Sequence, residues 1–273
     1  MGNICVIGPR ASGKTTYLAA LAYWENHQIQ QKRGKNFQVQ PLNDESRKLS
    51  EKAEDIILQG SSVEPTVIGN GIHTVDDLDY YSFKIEAKQG LLNQRQTIQL
   101  NARDYPGEVF EKIAEPNLSD SIHEEFVNEC LMKDVVGCLI LLTGWEPGTD
   151  RFYKRVMNRF IELMDNRDRL KDLKLAVAMS KCERGELWPG RIDPENDLFG
   201  VHLPKTKATL REKIPPKNLR FYAISTFGVL RRTDPRPNRI DDQGKSGSAS
   251  VIRDGSRWKP YNAIEPLYWL SKG

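Results

Sequence analysis

Cysteine is scarce in this chain: Cys5, Cys130, Cys138 and Cys182 are spread over 273 positions with no close pair. That spacing excludes a disulfide framework, and two of the four lie in apolar, strand-like runs where a thiol acts as a small hydrophobe. Reduced thiols are expected. Histidine also numbers four and is scattered, so the sequence presents no metal-ligating cluster. Long apolar runs are missing, and the longest, Val135 to Leu142, is far too short to span a bilayer. The first apolar strand begins almost at the start, leaving no room for a secretory leader, so a cytoplasmic protein is the expectation. Charge of one sign is not in excess, with 40 Lys and Arg against 37 Asp and Glu. Without a basic run or basic residues interleaved with aromatics, neither nucleic acid nor an anionic membrane surface is indicated. No internal repeat is present.

What is present begins at once. A short apolar strand (Ile4, Cys5, Val6, Ile7) runs into Gly8-Pro9-Arg10-Ala11-Ser12-Gly13-Lys14-Thr15-Thr16, a Gly-x4-Gly-Lys-Thr phosphate-binding loop. Gly8 and Gly13 let the backbone turn its N–H groups around phosphate oxygens, Lys14 adds an ammonium, and Thr15 offers a hydroxyl to Mg2+. The stretch from Thr15 to His27 reads as an amphipathic helix whose positive end points at the phosphates.

Beyond the loop, strand and helix alternate. Tyr80 to Ala87 and Thr97 to Ala102 alternate apolar and polar residues across a turn, predicting an antiparallel hairpin. Val135 to Leu142, Leu173 to Met179 and Leu219 to Ile224 read as buried parallel strands. Helices are expected over Ser119 to Lys133, Asp150 to Arg169 and Tyr261 to Ser271. The expected fold is a three-layer α/β phosphate-loop fold in one domain, 1–273: a mostly parallel sheet with an antiparallel hairpin strand. Residues 28–79 form an insertion containing a helix from Asp44 to Gln59, a candidate partner surface. The Gly-, Pro- and charge-rich stretches 184–203 and 231–259 are expected to be mobile loops.

Three further motifs fall at strand ends. Asp104-Tyr105-Pro106-Gly107 follows the hairpin; its Asp can reach a Mg2+-bound water and its Gly a γ-phosphate oxygen, although the tetrapeptide is also a good plain turn. Ser180-Lys181-Cys182-Glu183 and Ser225-Thr226 follow two parallel strands.

With these motifs in this order, the chain resembles a Ras-like P-loop GTPase of the translation-factor-related (TRAFAC) class. Within that class it is most similar to the double-GTPase families of bacterial conflict systems. The finer likeness rests on Gly-Pro-x2-Ser-Gly-Lys-Thr-Thr-x-Leu, on Asp-x-Pro-Gly-Glu with Phe110, and on the final helix Ile264 to Leu270. The resemblance implies GTP and GDP as ligands, Mg2+ as cofactor, and an effector or a second GTPase as partner. Glu183 would then accept the guanine N1–H and amine, Lys181 would lie over the base, and the Ser225 and Thr226 N–H groups would meet the guanine oxygen. A switch threonine falls to Thr66, or failing that Thr74. Ser180 and Glu183 depart from the family's Asn/Thr and Asp. Glu108 stands where relatives orient water with Gln or His, so it could hold a water, face solvent, or slow turnover. Arg10 could lean over the phosphates as a finger in cis or point to solvent. The readings left standing are a GTP-hydrolysing switch, a catalytically weak GTP-bound scaffold, and an adenine nucleotide hydrolase.

Overall fold

A computed structural model describes residues 3–24, 35–59, 75–89, 94–115, 121–144, 148–241 and 250–272. In chain order the main elements are β1 (Asn3–Ile7), α1 (Lys14–Tyr23), β2 (Lys35–Pro41), α2 (Asp44–Gln59), β3 (Tyr80–Gln89) and β4 (Gln94–Arg103). They continue with α3 (Gly107–Lys112), α4 (Ser121–Leu131), β5 (Val135–Leu142), α5 (Thr149–Asp165), β6 (Lys174–Met179), α6 (Pro204–Lys213) and β7 (Leu219–Ala223). A short ribbon, β8 (Arg239–Asp241) and β9 (Ser250–Ile252), precedes the last helix, α7 (Glu265–Ser271).

Strands β1, β5, β6 and β7 hydrogen-bond side by side in that order, all parallel. Period-two alternation gives this sheet two cores even though its strands are apolar throughout. Cys138, Ile140 and Leu142 of β5, with Leu175, Val177 and Met179 of β6, face α3, α4 and α5. Leu139 and Leu141, with Ala176 and Ala178, face α1 and α7. The small alanines on that face let the helices lie close. The expected α/β three-layer architecture is the one observed.

The hairpin forms as expected but does not stand alone. β2 adds to it, giving an antiparallel sheet of order β2-β3-β4. This sheet meets the β1 edge through the Asn101 side-chain amide, which donates to the Asn3 side-chain oxygen at 2.7 Å. The helix expected at 44–59 is α2; the Asn43 side chain accepts the Ser46 N–H at 3.1 Å, an N-cap that accounts for where it starts. Its inner face buries Leu49 and Ala53, and the Ser50 hydroxyl donates to the Ala22 carbonyl of α1, so that face is occupied by the protein's own core.

Residues 184–203, expected as a mobile loop, hold a chain of short helical turns that includes a π-helical turn over Pro194–Phe199 and ends with one over Gly200–His202. The stretch buries Leu187, Leu198, Phe199 and Leu203, an apolar set that its prolines and charges disguise. The 231–259 stretch likewise holds the β8–β9 ribbon in antiparallel pairing. The last helix begins at Glu265 rather than Tyr261, because Tyr261 pairs with Ser225 as an isolated bridge. No helix among the described residues is long and apolar enough to cross a membrane.

Candidate functional site

The ends of β1, β6 and β7 open on one cavity of about 390 Å3. At one end lies the phosphate-binding loop. Gly8 does not line the cavity; it lies beneath it, where a Cβ would collide with the Leu141 carbonyl and crowd the Ser12 hydroxyl. Ala11 sits at φ 53° and Gly13 at φ 87°, left-handed conformations that turn the loop around its own interior. A non-glycine residue held there stores strain of the kind that collects at ligand sites. Helix α1 starts at Lys14 with no side-chain cap and no acidic residue in its first turn, so its N–H groups present bare positive ends to the cavity. Ser12 is buried and its hydroxyl has no hydrogen-bond partner among the described residues.

Lys14 is buried and folds back over the loop, its Nζ donating to the carbonyls of Gly8 at 2.9 Å and Pro9 at 3.0 Å. Burial draws its pKa from 10.5 down to about 8, against the opposing pull of the Asp104 and Glu111 carboxylates. Thr15 and Asp104, separated by 89 residues, meet at 2.8 Å from Oγ1 to Oδ2. Thr16 lines the same wall.

Asp104-Tyr105-Pro106-Gly107 leads straight into α3, and this short helix is laid on the phosphate loop. Gly107 packs so closely that a Cβ would overlap the Arg10 backbone, 2.0 Å from its nitrogen. From α3, Glu108 pairs with the Arg10 guanidinium at 2.7 Å, and Glu111 accepts the Arg10 backbone N–H at 2.8 Å. Arg10 is therefore held between two carboxylates on an exposed rim. Glu111 carried no signal in the sequence other than its place one helical turn after Glu108.

At the far end lies the second set of predicted residues. Lys181 adopts φ 55°, and its Cε lies 3.7 Å from where a Gly13 side chain would begin, so it runs beside the phosphate loop. The Ser180 hydroxyl donates to the Leu142 carbonyl at 3.0 Å, anchoring the turn to the end of β5. Glu183 is fully buried. One carboxylate oxygen meets the Arg239 guanidinium at 3.2 Å, and the other, buried Oε2, has no partner among the described residues. Arg239 also donates to the Ser250 hydroxyl and stacks over Phe227 with its Cζ 5.5 Å from the ring centre. Both Arg239 and Ser250 belong to the β8–β9 ribbon, within the 231–259 stretch whose composition is that of a loop.

Ser225 and Thr226 part company. Thr226 lines the cavity, whereas Ser225 does not: its N–H donates to the Tyr261 carbonyl at 3.1 Å, and its hydroxyl accepts the Gly228 N–H. The expectation that the Ser225 N–H faces a base is therefore corrected, because the bridge to Tyr261 consumes it. Thr66 and Thr74 lie outside the described residues.

The structure thus brings Arg10, Ala11, Ser12, Gly13, Lys14, Thr15, Thr16, Asp104, Gly107, Glu108, Lys181, Glu183 and Thr226 to one cavity. Chemically it offers inward N–H groups and an ammonium for an anion at one end. At the other it offers a buried carboxylate oxygen lacking a donor.

No protein-family model matches the chain, and no curated protein matches it. Among solved structures, it is similar to Sup35 complexed with GDP, at 12% identity and a TM-score of 0.31 over 82% of this chain and 36% of that one. It is also similar to the GTPase-like domain of S. cerevisiae Ski7 bound to GTP, at 14% identity and a TM-score of 0.40 over 82% of this chain and 42% of that one. The chain therefore spans less than half the length of either.

Proposed function

We propose that the protein binds GTP in this cavity and hydrolyses it to GDP and phosphate, acting as a nucleotide-controlled switch in the cytoplasm. The observation that carries this reading is that one cavity joins a phosphate cradle to Glu183, a buried carboxylate whose Oε2 has no partner among the described residues. A buried acceptor without a donor is costly, and guanine N1–H or its exocyclic amine supplies the donor. Adenine presents no such pair of donors, so discrimination follows from leaving that oxygen unsatisfied.

The donors gathered at Thr15 and Asp104 are a hydroxyl and a carboxylate, the hard oxygens that suit Mg2+, and these two residues would hold it. When bound, Mg2+ would neutralise charge on the β and γ oxygens. Lys14 and the N–H groups of the loop and of α1 would position the phosphates. Glu108 is neutralised by Arg10, which fits a residue that orients a water better than one that bears a bare charge beside the γ-phosphate.

Switching has a physical basis in α3. Glu111 lies close enough to Lys14 for its charge to be felt there, and it occupies the Arg10 N–H. With GTP and Mg2+ bound, the γ-phosphate meeting the Gly107 N–H would order the start of α3 together with the Thr66 loop, and hydrolysis would let both relax, changing which partner binds. The sequence motifs support placement beside the double-GTPase families, with an effector or second GTPase reading the position of α3.

The test is competition of GTP, GDP and ATP for a fluorescent guanine nucleotide with Mg2+, followed by single-turnover phosphate release. GTP and GDP are expected to compete and ATP to fail, with release from the parent slowed in Arg10→Ala and Glu108→Ala. Tighter ATP binding would overturn the guanine assignment. A second reading, a GTP-bound scaffold with negligible turnover, is favoured by the Arg10–Glu108 pair, which ties both candidate catalytic groups to each other; undetectable release from all three proteins would establish it.

A further inference from the structure

Away from the nucleotide cavity, three of the four cysteines converge. Cys5 on β1, Cys130 on α4 and Cys138 on β5 place their sulfurs within 4.8 Å of one another. Their distances along the chain hide this, but the fold forces it. Cys5 and Cys138 are direct partners in the parallel pairing of β1 with β5, and Cys130 faces them from the helix that packs on that strand. The sulfurs are not absorbed by strong hydrogen bonds: Cys5 approaches the Glu129 carbonyl and Cys138 the Cys130 carbonyl, both at 3.7 Å, the long reach of a weak thiol donor.

Burial differs among the three. Cys130 and Cys138 are buried, while Cys5 is partly exposed. Cys5 and Cys130 border a second cavity of about 230 Å3, whose wall also carries Asn3, Tyr80, Arg103 and Glu129. The cluster therefore has an entrance on one side and apolar packing on the other.

We propose that Cys5, Cys130 and Cys138 form a binding site for a thiophilic divalent cation of the zinc class, with a fourth coordination position open to this cavity. Three thiolates with one exchangeable position is an arrangement that zinc accepts. Tetrahedral bonds of about 2.3 Å require sulfurs about 3.8 Å apart, so the three draw in by at most about 1 Å, a movement open to side-chain rotation. Thiolate donors select soft and borderline cations over Mg2+, which keeps this site chemically separate from the nucleotide's metal. A divalent ion is preferred over a monovalent one because three thiolates then carry one net negative charge into a largely apolar site rather than two. On binding, S–H bonds are exchanged for sulfur–metal bonds, and the displaced protons pass to buffer through the cavity.

The test uses Cd2+ alone as probe, added to the full-length protein under reducing, nucleotide-free conditions, with sulfur-to-cadmium charge-transfer absorption in the ultraviolet as readout. The parent is expected to bind one ion per chain, with a saturating intensity corresponding to three sulfur bonds, and Zn2+ is expected to displace the probe. Cys5→Ser, at the partly exposed position, is expected to lower the intensity by about one third and the affinity by more than tenfold, a loss that even an outer-sphere change can reach. Cys182→Ser is the control; that thiol lies apart from the cluster and its replacement should leave the band unchanged. Absence of a band in the folded parent, or a band that survives Cys5→Ser at full intensity, would overturn the site. Because the parent's stoichiometry and intensity need no variant, a folding defect in Cys5→Ser does not rescue the proposal.

Discussion

Lys14 and Glu183 are the two side chains whose burial says most about the ligand, and both were legible as residue types in the sequence. For Lys14 the sign of its pH response follows from which state keeps the proton. Between about 8 and 10.5 the unfolded chain binds it and the folded chain does not, so this group makes stability rise with pH across that window. A phosphate against the ammonium raises its pKa again. Triphosphate binding above pH 8 is therefore expected to take up a proton, seen by calorimetry as a binding enthalpy that changes with the buffer's ionisation enthalpy; equal enthalpies in all buffers would contradict it. For Glu183, the partner could not be read from the sequence, because Arg239 lies 56 residues away on a ribbon whose strands are only three residues each. Both side chains of this pair are almost wholly buried. Arg239→Ala is expected to destabilise the protein by about 3–5 kcal/mol in urea unfolding, the cost of stranding a buried charge. Adding Glu183→Gln should recover most of that loss.

Helix α3 is the element on which the proposed switch turns, and its six residues were too few to show a period in the sequence. What could be read was its first residue: Gly107 in the Asp-x-Pro-Gly motif. Its contact with Arg10 explains why only glycine fits. Gly107→Ala is expected to push α3 off the phosphate loop, costing about 1–3 kcal/mol of stability through overpacking and weakening nucleotide binding in the same titration. A variant with parent-like affinity and unfolding midpoint would show that the contact is slack. Longer elements were legible for a different reason. The helix at 44–59 announces itself by a helical run closed by Gly60, and β5 by an unbroken apolar stretch. The turns over 184–203 were not, because Pro189, Pro194 and their charged neighbours match loop composition while Leu198 and Phe199 supply the burial. Composition records what a segment is made of, and tertiary contact decides whether it is held.

For the molecule as a whole, the layered fold could be read from the order of strand and helix, and the site from motifs at strand ends. The short alternation of Phe37 and Val39 hinted at β2, but its pairing with the hairpin, the ribbon and the grouping of three cysteines required long-range contacts that no local pattern encodes. A ligand confined to the folded state adds stability by mass action: GTP with Mg2+ at about a hundred times its dissociation constant contributes about 2.7 kcal/mol, expected as a rise of roughly 5–10 °C in the unfolding midpoint. No rise with any magnesium-complexed triphosphate would remove the basis for the proposed function. One last property belongs to this scale. Trp258, which donates its indole N–H to the Thr226 carbonyl on the cavity wall, also meets Tyr23 and Trp24 edge-on at 5.2 and 6.4 Å, at the C-terminal tip of α1. The opposite tip of that ten-residue helix carries Lys14. Ten helical residues make a stiff strut about 15 Å long, so the Thr226 end of the cavity and its Lys14 end are fixed to a single beam, and one cannot be tilted without carrying the other.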